Sequence, residues 1–293
     1  MNKKVLVTGG SGFLGSHLID SLIVSGFNVI NFDTKESNFN IKGVQNIKGD
    51  LLDFNLLKNS LKNIDFVYHL AAFSDLDKAK DDPIKTMNIN VLGTTNLLQA
   101  AKINQVNKVI FASSIYVNSR TGGFYRVSKH SCEILLEEFY NYYKLNYTIL
   151  RFGTIFGPRS DNSNSVYNYL LSALKNKSID AVGSGNEVRE YIDVRDAAKV
   201  CEQAMLDKYN NEAIVVTGNH RIKLNELLEM IREILNNDIE IKYGEGKAAH
   251  YKYTPYSFTP RPGKKIVLDS FRDFGQGLVE VLEEIDKNTR LNK

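Results

Sequence analysis

Cysteine is scarce: Cys132 and Cys201 are the only thiols among 293 residues. So few argue against a disulfide framework and for a reducing cytoplasm. Net charge is also small. The 37 Lys and Arg residues nearly balance 34 Asp and Glu, leaving +3, and both signs are spread along the chain. That excludes a nucleic-acid surface or a polybasic membrane patch. No apolar run reaches the roughly 18 residues a membrane helix needs. Met1 leads straight into a strand-like stretch through Asn2-Lys3-Lys4, so no signal peptide is expected. The five histidines (17, 69, 130, 220 and 250) form no His-x-x-x-His pair and no cluster with Cys or carboxylates, so no metal centre is expected. Repeats and low-complexity tracts are missing as well.

What is present is an ordinary soluble composition, 43% hydrophobic and 24% charged, long enough for one large domain or two modest ones. Apolar runs at 5–8, 28–33, 65–70, 108–112 and 147–151 read as strands. Helical periodicity fills 13–25, 54–62, 84–104 and 125–143 between them. Such alternation predicts an α/β fold, a doubly wound parallel sheet with helices on both faces. After Gly153 the pattern changes, with a polar loop at 157–165, helices near 165–176, 194–207 and 223–236, and a final amphipathic helix through Leu278, Val281, Leu282 and Ile285. Residues 244–264, with three prolines, read as irregular. The expected division is a dinucleotide-binding domain at 1–155 plus roughly 186–217. A smaller C-terminal α/β substrate lobe takes 156–185 and 218–293, with ligand at the carboxyl ends of the strands.

The most informative stretch is Val5-Leu6-Val7-Thr8-Gly9-Gly10-Ser11-Gly12-Phe13-Leu14-Gly15. A buried strand runs into a glycine turn and then a helix, the arrangement that seats a dinucleotide pyrophosphate on a helix N-terminus. Glycines at 9, 12 and 15 let backbone approach the phosphates, and Phe13 and Leu14 open the helix. Asp33 closes the next strand 18 residues after Gly15, where a carboxylate binds the adenosine ribose. Asp50, in Gly49-Asp50-Leu51, ends another short strand and reads equally as an adenine contact or a surface turn. His69-Leu70-Ala71-Ala72 ends the fourth strand, with small residues that admit a cofactor and a histidine better suited to orienting than to acting as a base. Asn88, Asn90 and Asn96 are weak helix formers on the next helix; a cofactor-side water or plain solvent exposure accounts for them equally.

Ser113 and Ser114 follow the strand at 108–112, where a doubly wound sheet displays its active site. Eleven residues beyond Ser114, Tyr125-Arg126-Val127-Ser128-Lys129 opens a long helix with Tyr and Lys at i and i+4, on one face. An ammonium and a cationic nicotinamide nearby would favour the phenolate over the phenol, whose ordinary pKa is about 10.

Together these segments resemble the extended short-chain dehydrogenase/reductases, and most closely their NAD-dependent nucleotide-sugar epimerase/dehydratase branch. The resemblance continues through Leu150-Arg151-Phe152-Gly153-Thr154-Ile155-Phe156-Gly157-Pro158-Arg159, Arg189-Glu190-Tyr191-Ile192-Asp193-Val194 and Arg261-Pro262-Gly263. It implies NAD as cofactor, Tyr125 as base, Lys129 on the nicotinamide ribose and a serine on the substrate hydroxyl, Ser114 by strand register with Ser113 as the alternative. It further implies Gly9, Gly12, Phe13, Leu14, Asp33, Asp50, Leu51, Leu70, Ala71 and Ala72 around the cofactor. Thr154, Arg189 and Arg261 would face a nucleotide-diphosphate sugar. A homodimer paired through the helices at 84–104 and 125–143 is implied too; their stripes (Leu97, Leu98, Ala101; Leu135, Leu136, Phe139) fit either that interface or packing onto the sheet.

Three departures shape the expected reaction. Many relatives have Asn where Thr154 stands, the segment from Ser114 to Tyr125 is short, and Ile115-Tyr116 replaces the Asp-Glu pair of 4,6-dehydratases. An elimination needs an acid there, so a dehydratase is disfavoured. The leading expectation is a nucleotide-sugar 4-epimerase working through a transient 4-keto sugar with NAD as hydride carrier. The alternative is a net oxidoreductase, a C4 dehydrogenase or 4-keto reductase, with Asp33 favouring NAD over NADP. A non-catalytic dinucleotide sensor on the same fold is the third reading, disfavoured by the Ser/Tyr/Lys set.

Overall fold

A parallel strand covered on both faces must be apolar throughout, and Val5, Leu6 and Val7 are fully buried in β1 (Lys4–Thr8). The computed structural model describes residues 3–39, 42–119, 121–244 and 264–291. From β1 the chain runs through α1 (Phe13–Val24), β2 (Asn28–Asp33), β3 (Gln45–Lys48), α2 (Phe54–Ser60) and β4 (Phe66–His69). Next come α3 (Leu76–Asp81), α4 (Pro83–Met87), a π turn (Asn88–Leu92), α5 (Gly93–Ile103) and β5 (Lys108–Ser114). A 3-10 turn (Ile115–Asn118), α6 (Gly123–Tyr143) and β6 (Asn146–Phe152) follow. The remainder holds β7 (Thr154–Phe156), α7 (Ser165–Asn176), β8 (Ser178–Val182), β9 (Val188–Asp193) and α8 (Val194–Gln203). It ends with β10 (Glu212–Val216), β11 (Arg221–Lys223), α9 (Leu224–Ile234), β12 (Glu240–Gly244), β13 (Lys264–Lys265) and α10 (Phe274–Leu291).

The chain divides into two units. The first contains Met1–Phe152 and Ala198–Val216 together with β13. Its sheet has eight strands, all parallel, in the order β13-β10-β6-β5-β4-β1-β2-β3. The winding reverses between β1 and β4, so the crevice outside their carboxyl ends is the switch point where doubly wound sheets bind ligands. The expected doubly wound parallel sheet is therefore present.

On one side of this sheet Leu97, Leu98, Ala101 and Leu136 are buried in a common core with Leu6, Val67, Val109 and Ile149, and Leu135 and Phe139 pack against it. Of the two roles open to that stripe, packing onto the sheet is the one it fills. The helix expected over 84–104 is interrupted by the π turn. There the Asn90 carbonyl accepts from the Thr94 hydroxyl (2.5 Å) and the Cys132 thiol (3.2 Å), side chains that intrude on the backbone ladder.

The second unit contains Gly153–Ala197, the stretch following Val216 and the C-terminal stretch from Val267. It has a three-stranded sheet ordered β11-β9-β7 and a parallel pair of β8 and β12. Phe156, Leu170, Leu227, Ile231 and Leu278 centre its core. Three expected boundaries change. Residues 153–155 belong to this unit and not to the first, because β7 pairs with β9. Residues 186–197 belong here, because β9 pairs with β7 and β11 instead of the large sheet. Residues 264–265 leave the lobe, because β13 pairs with β10 as the eighth strand of the large sheet.

Close backbone packing at the first turn is easily tested. A methyl group on Gly15 would lie 2.2 Å from the Gly9 carbonyl oxygen and 2.7 Å from the Gly10 Cα, neither of which can swing aside. Gly15→Ala is expected to destabilise the first unit by about 1–3 kcal/mol. Urea unfolding would register it as a lowered midpoint with unchanged slope, and an unchanged midpoint would contradict the packing of α1 on the turn.

Candidate active site

Three segments converge at the carboxyl ends of β1, β4 and β5. Gly9 has φ +74°, and a Cβ there would stand 2.7 Å from the Ala71 amide nitrogen, so only glycine lets the two chains meet. The Leu70 amide donates to the Thr8 carbonyl (3.1 Å), and the Ala71 amide to the Thr8 hydroxyl (3.3 Å). The sequence elements Gly9, Gly12, Leu70, Ala71 and Ala72 are thus brought to one edge. Gly12 is the N-cap of α1 and supplies no side-chain cap, so the first turn, with half-buried Phe13 and Leu14, presents its amides uncapped by any side chain. A Cβ on Gly12 would meet only the Gly9 carbonyl, at 3.2 Å, leaving open space beside the turn.

Asp33 ends β2 next to that turn. Its carboxylate accepts from the Ser11 amide (3.0 Å) and the Lys35 amide (3.0 Å), which fixes its position. Asp50 is exposed and accepts from the Leu52 amide (2.9 Å), an aspartate turn. The Leu51 side chain is buried in the core against Gly93, and its carbonyl accepts from Asn96 (3.0 Å), so the side chain is committed to packing. That also gives Asn96 a structural partner, leaving neither water nor solvent needed to account for it.

His69 lies in a buried relay. The Thr94 hydroxyl donates to the Asn90 carbonyl, so its oxygen accepts from His69 Nε2 (2.9 Å). His69 Nδ1 then accepts from the Thr8 hydroxyl (2.8 Å), which defines the tautomer. Burial, with a smaller contribution from the Lys129 ammonium, lowers the His69 pKa to about 3. A ring so held is neutral and orienting, as its sequence position suggested. Asn90, on the π turn, clamps both polar groups of Phe73: its carbonyl accepts from the amide (2.7 Å) and its NH2 donates to the carbonyl (3.1 Å). The same NH2 reaches the Ser128 hydroxyl (2.9 Å). Asn90 thereby ties the segment after β4 to α6.

Ser113 and Ser114 have different surroundings. The Ser113 hydroxyl donates to Glu133 (2.5 Å), which is in a buried ion pair with Arg151. Ser114 caps the 3-10 turn, accepting from the Tyr116 amide at a longer 3.3 Å. On α6, the Lys129 ammonium donates to the Ala112 carbonyl (2.7 Å), two residues before Ser114. It also stands 5.8 Å from the centre of the half-buried Tyr125 ring. Burial lowers the Lys129 pKa to about 8 and is partly opposed by Cys132 and Glu133. Burial, with smaller contributions from Tyr116 and Cys132, pushes the Tyr125 phenol well above its usual range. Without a further cation the proton therefore stays on Tyr125.

Thr8, Asn90, Thr94, Glu133 and Arg151 were not singled out from the sequence as site residues. For Asn90, Thr94 and Glu133 the available signal was a polar residue at a sheet-facing position of the helical pattern; for Thr8 and Arg151 it was a polar residue within an apolar strand. In the second unit, Thr154 starts β7 opposite Tyr191 in the adjacent strand β9, and Arg189 is buried on β9. The Arg189 guanidinium donates to the Val188 carbonyl (2.8 Å). Arg261 lies outside the described residues. Among those residues no group of three or more His, Cys, Asp or Glu is placed to hold a metal, and no helix is long and apolar enough to cross a membrane.

A doubly wound sheet, an uncapped glycine turn at its switch point and a Tyr/Lys helix beside it define an enzyme of the dinucleotide-dependent class. Comparison with known proteins names the group. A model of the NAD dependent epimerase/dehydratase family matches residues 5–217, and the chain belongs to that family; it is an NAD-dependent enzyme. A UDP-N-acetylglucosamine 4-epimerase from Methanobrevibacter ruminantium, solved with UDP-N-acetylmuramic acid, is 30% identical. That structure covers 98% of this chain and 99% of its own, with a TM-score of 0.85. The UDP-glucose 4-epimerase of Thermotoga maritima, solved with UDP-glucose, is 26% identical over 98% of this chain and 99% of its own, with a TM-score of 0.83. A UDP-N-acetyl-alpha-D-glucosaminuronate decarboxylase of Bacillus cytotoxicus is 28% identical over 291 residues, 90% of this chain and 89% of its own.

The relay makes stability depend on pH in a defined direction. His69 has its folded pKa (about 3) below its unfolded value (about 6.5), so the unfolded chain takes up the proton first as pH falls. Its contribution is complete above pH ~6.5 and is lost progressively toward pH ~3, by up to about 1.4 kcal/mol per unit. Between pH ~7.5 and ~5.0 the wild type is expected to lose about 2 kcal/mol that His69→Gln does not. Urea unfolding of both proteins at the two pH values measures it; parallel losses would mean His69 is not buried neutral.

Proposed function

We propose that this protein is an NAD-dependent nucleotide-sugar 4-epimerase. The observation that carries the reading is the environment of the two serines. Ser113 is committed to the Glu133–Arg151 pair, which leaves Ser114 as the hydroxyl at the end of β5 to work with Tyr125 and Lys129. The 3-10 turn after Ser114 begins Ile115-Tyr116 and brings no carboxylate to serve as the acid of an elimination, which supports an epimerase over a dehydratase. The two solved 4-epimerases, which align along almost the whole chain, support the same choice.

In this reading the Gly9–Gly12 turn and the first turn of α1, with Phe13 and Leu14, hold the NAD pyrophosphate. Asp33 would bind the adenosine ribose and repel a 2′-phosphate; Asp50 and the Leu51 backbone would contact the adenine, and Leu70, Ala71 and Ala72 would line the cofactor. NAD would supply the hydride acceptor, and then the hydride donor, for the sugar C4. Tyr125 Oη takes the proton of the C4 hydroxyl, and the Ser114 hydroxyl bonds the same oxygen. Lys129 holds the nicotinamide ribose, and its charge favours the phenolate. Returning the proton from Tyr125 after the sugar has turned over gives the C4 epimer. Thr154, Arg189 and Arg261 would bind the nucleotide-diphosphate sugar, guanidinium groups suiting a diphosphate.

Denaturing the purified protein and assaying the released dinucleotide tests the reading. The epimerase is expected to release near-stoichiometric NAD and to interconvert C4 epimers of a UDP-sugar with no net NADH. Tyr125→Phe should keep the NAD and lower kcat by about 100-fold or more. An empty protein that turns over added NAD stoichiometrically with sugar would move the assignment to a net C4 oxidoreductase.

The same reading includes a homodimer. Phe124, Val127 and Ile134 are exposed on α6, spaced as one helical stripe, with Leu92 exposed at the end of the π turn and Ile103 exposed on α5. That face, not the sheet-facing stripe, is the one available to a second copy. Light scattering should give twice the chain mass, and Ile134→Glu should yield a folded monomer; a wild-type monomer at micromolar concentration contradicts the dimer.

A further inference from the structure

Glu133 and Arg151 form the deepest ion pair among the described residues, each side chain 3% exposed. Arg151 lies on β6 directly across from Ser113 on β5. Glu133 lies on α6, one helical turn beyond Lys129 and two beyond Tyr125. The guanidinium grips the carboxylate with two bonds, Nε to Oε1 (3.1 Å) and Nη2 to Oε2 (2.8 Å), and the Ser113 hydroxyl adds a third to Oε1 (2.5 Å). Three charge-assisted bonds therefore join one helix to two adjacent strands at a single point.

Such a pair is a poor device for stability alone. Desolvation of two charges consumes most of their attraction, and packed apolar side chains of similar volume do as well or better. A bidentate Arg–carboxylate fork does supply fixed direction and distance. Here the fork is placed where direction matters to chemistry. One turn back along α6, Lys129 hangs from the Ala112 carbonyl, and the strand that supplies Ser113 supplies Ser114 next.

We propose that Ser113, Glu133 and Arg151 form a positioning clamp that holds the Tyr125–Lys129 face of α6 in register with Ser114. The clamp touches neither substrate nor cofactor and acts through the three residues it aligns; it rests on the reading of those three as the reactive set.

The double variant Glu133→Leu/Arg151→Met removes both charges and keeps most of the volume. Its thermal midpoint and NAD content should stay near wild type, with KM unchanged, while kcat falls by about 100-fold, the scale of a misplacement of about 1 Å. Single variants add a readout that packing alone does not move. Glu133→Gln leaves an unbalanced cation behind Lys129 and should shift the acidic limb of the kcat–pH profile downward. Arg151→Met leaves an anion and should shift it upward. The other ionisable groups around Tyr125 and Lys129 are His69 from β4, Tyr116 from the 3-10 turn and Cys132 on α6 itself. His69 is neutral and burial keeps Cys132 a thiol, so neither masks the opposed shifts.

A folded double variant with wild-type kcat overturns the clamp. If that variant does not fold, Glu133→Gln, which keeps the side-chain shape, decides: a wild-type kcat and an unmoved limb overturn the proposal. Tyr125→Phe is measured alongside. Full activity there removes the reading on which the clamp rests, whereas an inactive Tyr125→Phe beside a fully active double variant removes the clamp alone.

Discussion

The site depends on one close approach. At the switch point of the sheet, the backbone of Gly9 and the amide of Ala71 are too near for even a methyl group between them. Because they touch, the turn that opens α1 and the segment that leaves β4 share a wall, and Thr8 can bond both the Ala71 amide and His69. A residue with a Cβ at position 9 would push these segments apart and break the relay behind them. The steric requirement of one glycine is thus transmitted through hydrogen bonds to the π turn and, through Asn90, to α6.

That transmission is costly, and its cost is instructive. Buried polar groups stabilise little unless every donor and acceptor is met. Along this edge Thr8, His69, Thr94, Asn90 and Ser128 are linked so that each has a partner, and the Asn90 carbonyl, on the π turn, accepts from the Thr94 hydroxyl and the Cys132 thiol. The local distortion and the polar network thus meet at one residue, Asn90. A helix that only had to cover the sheet would have had no need of either.

Much of this fold was legible in the sequence because its signals are local. Alternating apolar runs and helical periodicities gave the parallel sheet, and Gly9, Gly12 and Gly15 gave the tight turn at its switch point with Asp33 beside it, since glycine constraints act within a few residues. Tyr125 and Lys129 were legible for the same reason, being one helical turn apart. What was not legible depends on partners far along the chain. Ser113 and Ser114 are adjacent and chemically identical, and only Glu133 and Arg151 distinguish them. Asn90 and Asn96 read as weak helix formers because Phe73, Ser128 and Leu51, which satisfy them, lie up to 45 residues away. Leu51 matched a cofactor motif yet spends its side chain in the core. Residues 186–197 have strand-like patterning, but patterning does not say which sheet a strand will join, and β9 chose the small one.

The protonation of Tyr125 gives the architecture its chemical logic. In the protein alone, burial holds the phenol protonated, and Lys129, itself lowered to about 8 by burial, is a weakened source of positive charge. Under the proposed function, a base that stays protonated until another cation arrives does no chemistry on a sugar that enters first. The same burial that makes Tyr125 a poor base in isolation makes it responsive, because charge added in a poorly solvated site is screened less than charge added in water. Under the proposed function that cation is the oxidised nicotinamide. Reactivity would then be conferred by cofactor occupancy, while the strand ends, the π turn and the underside of α6 keep the three reactive side chains where that charge can act.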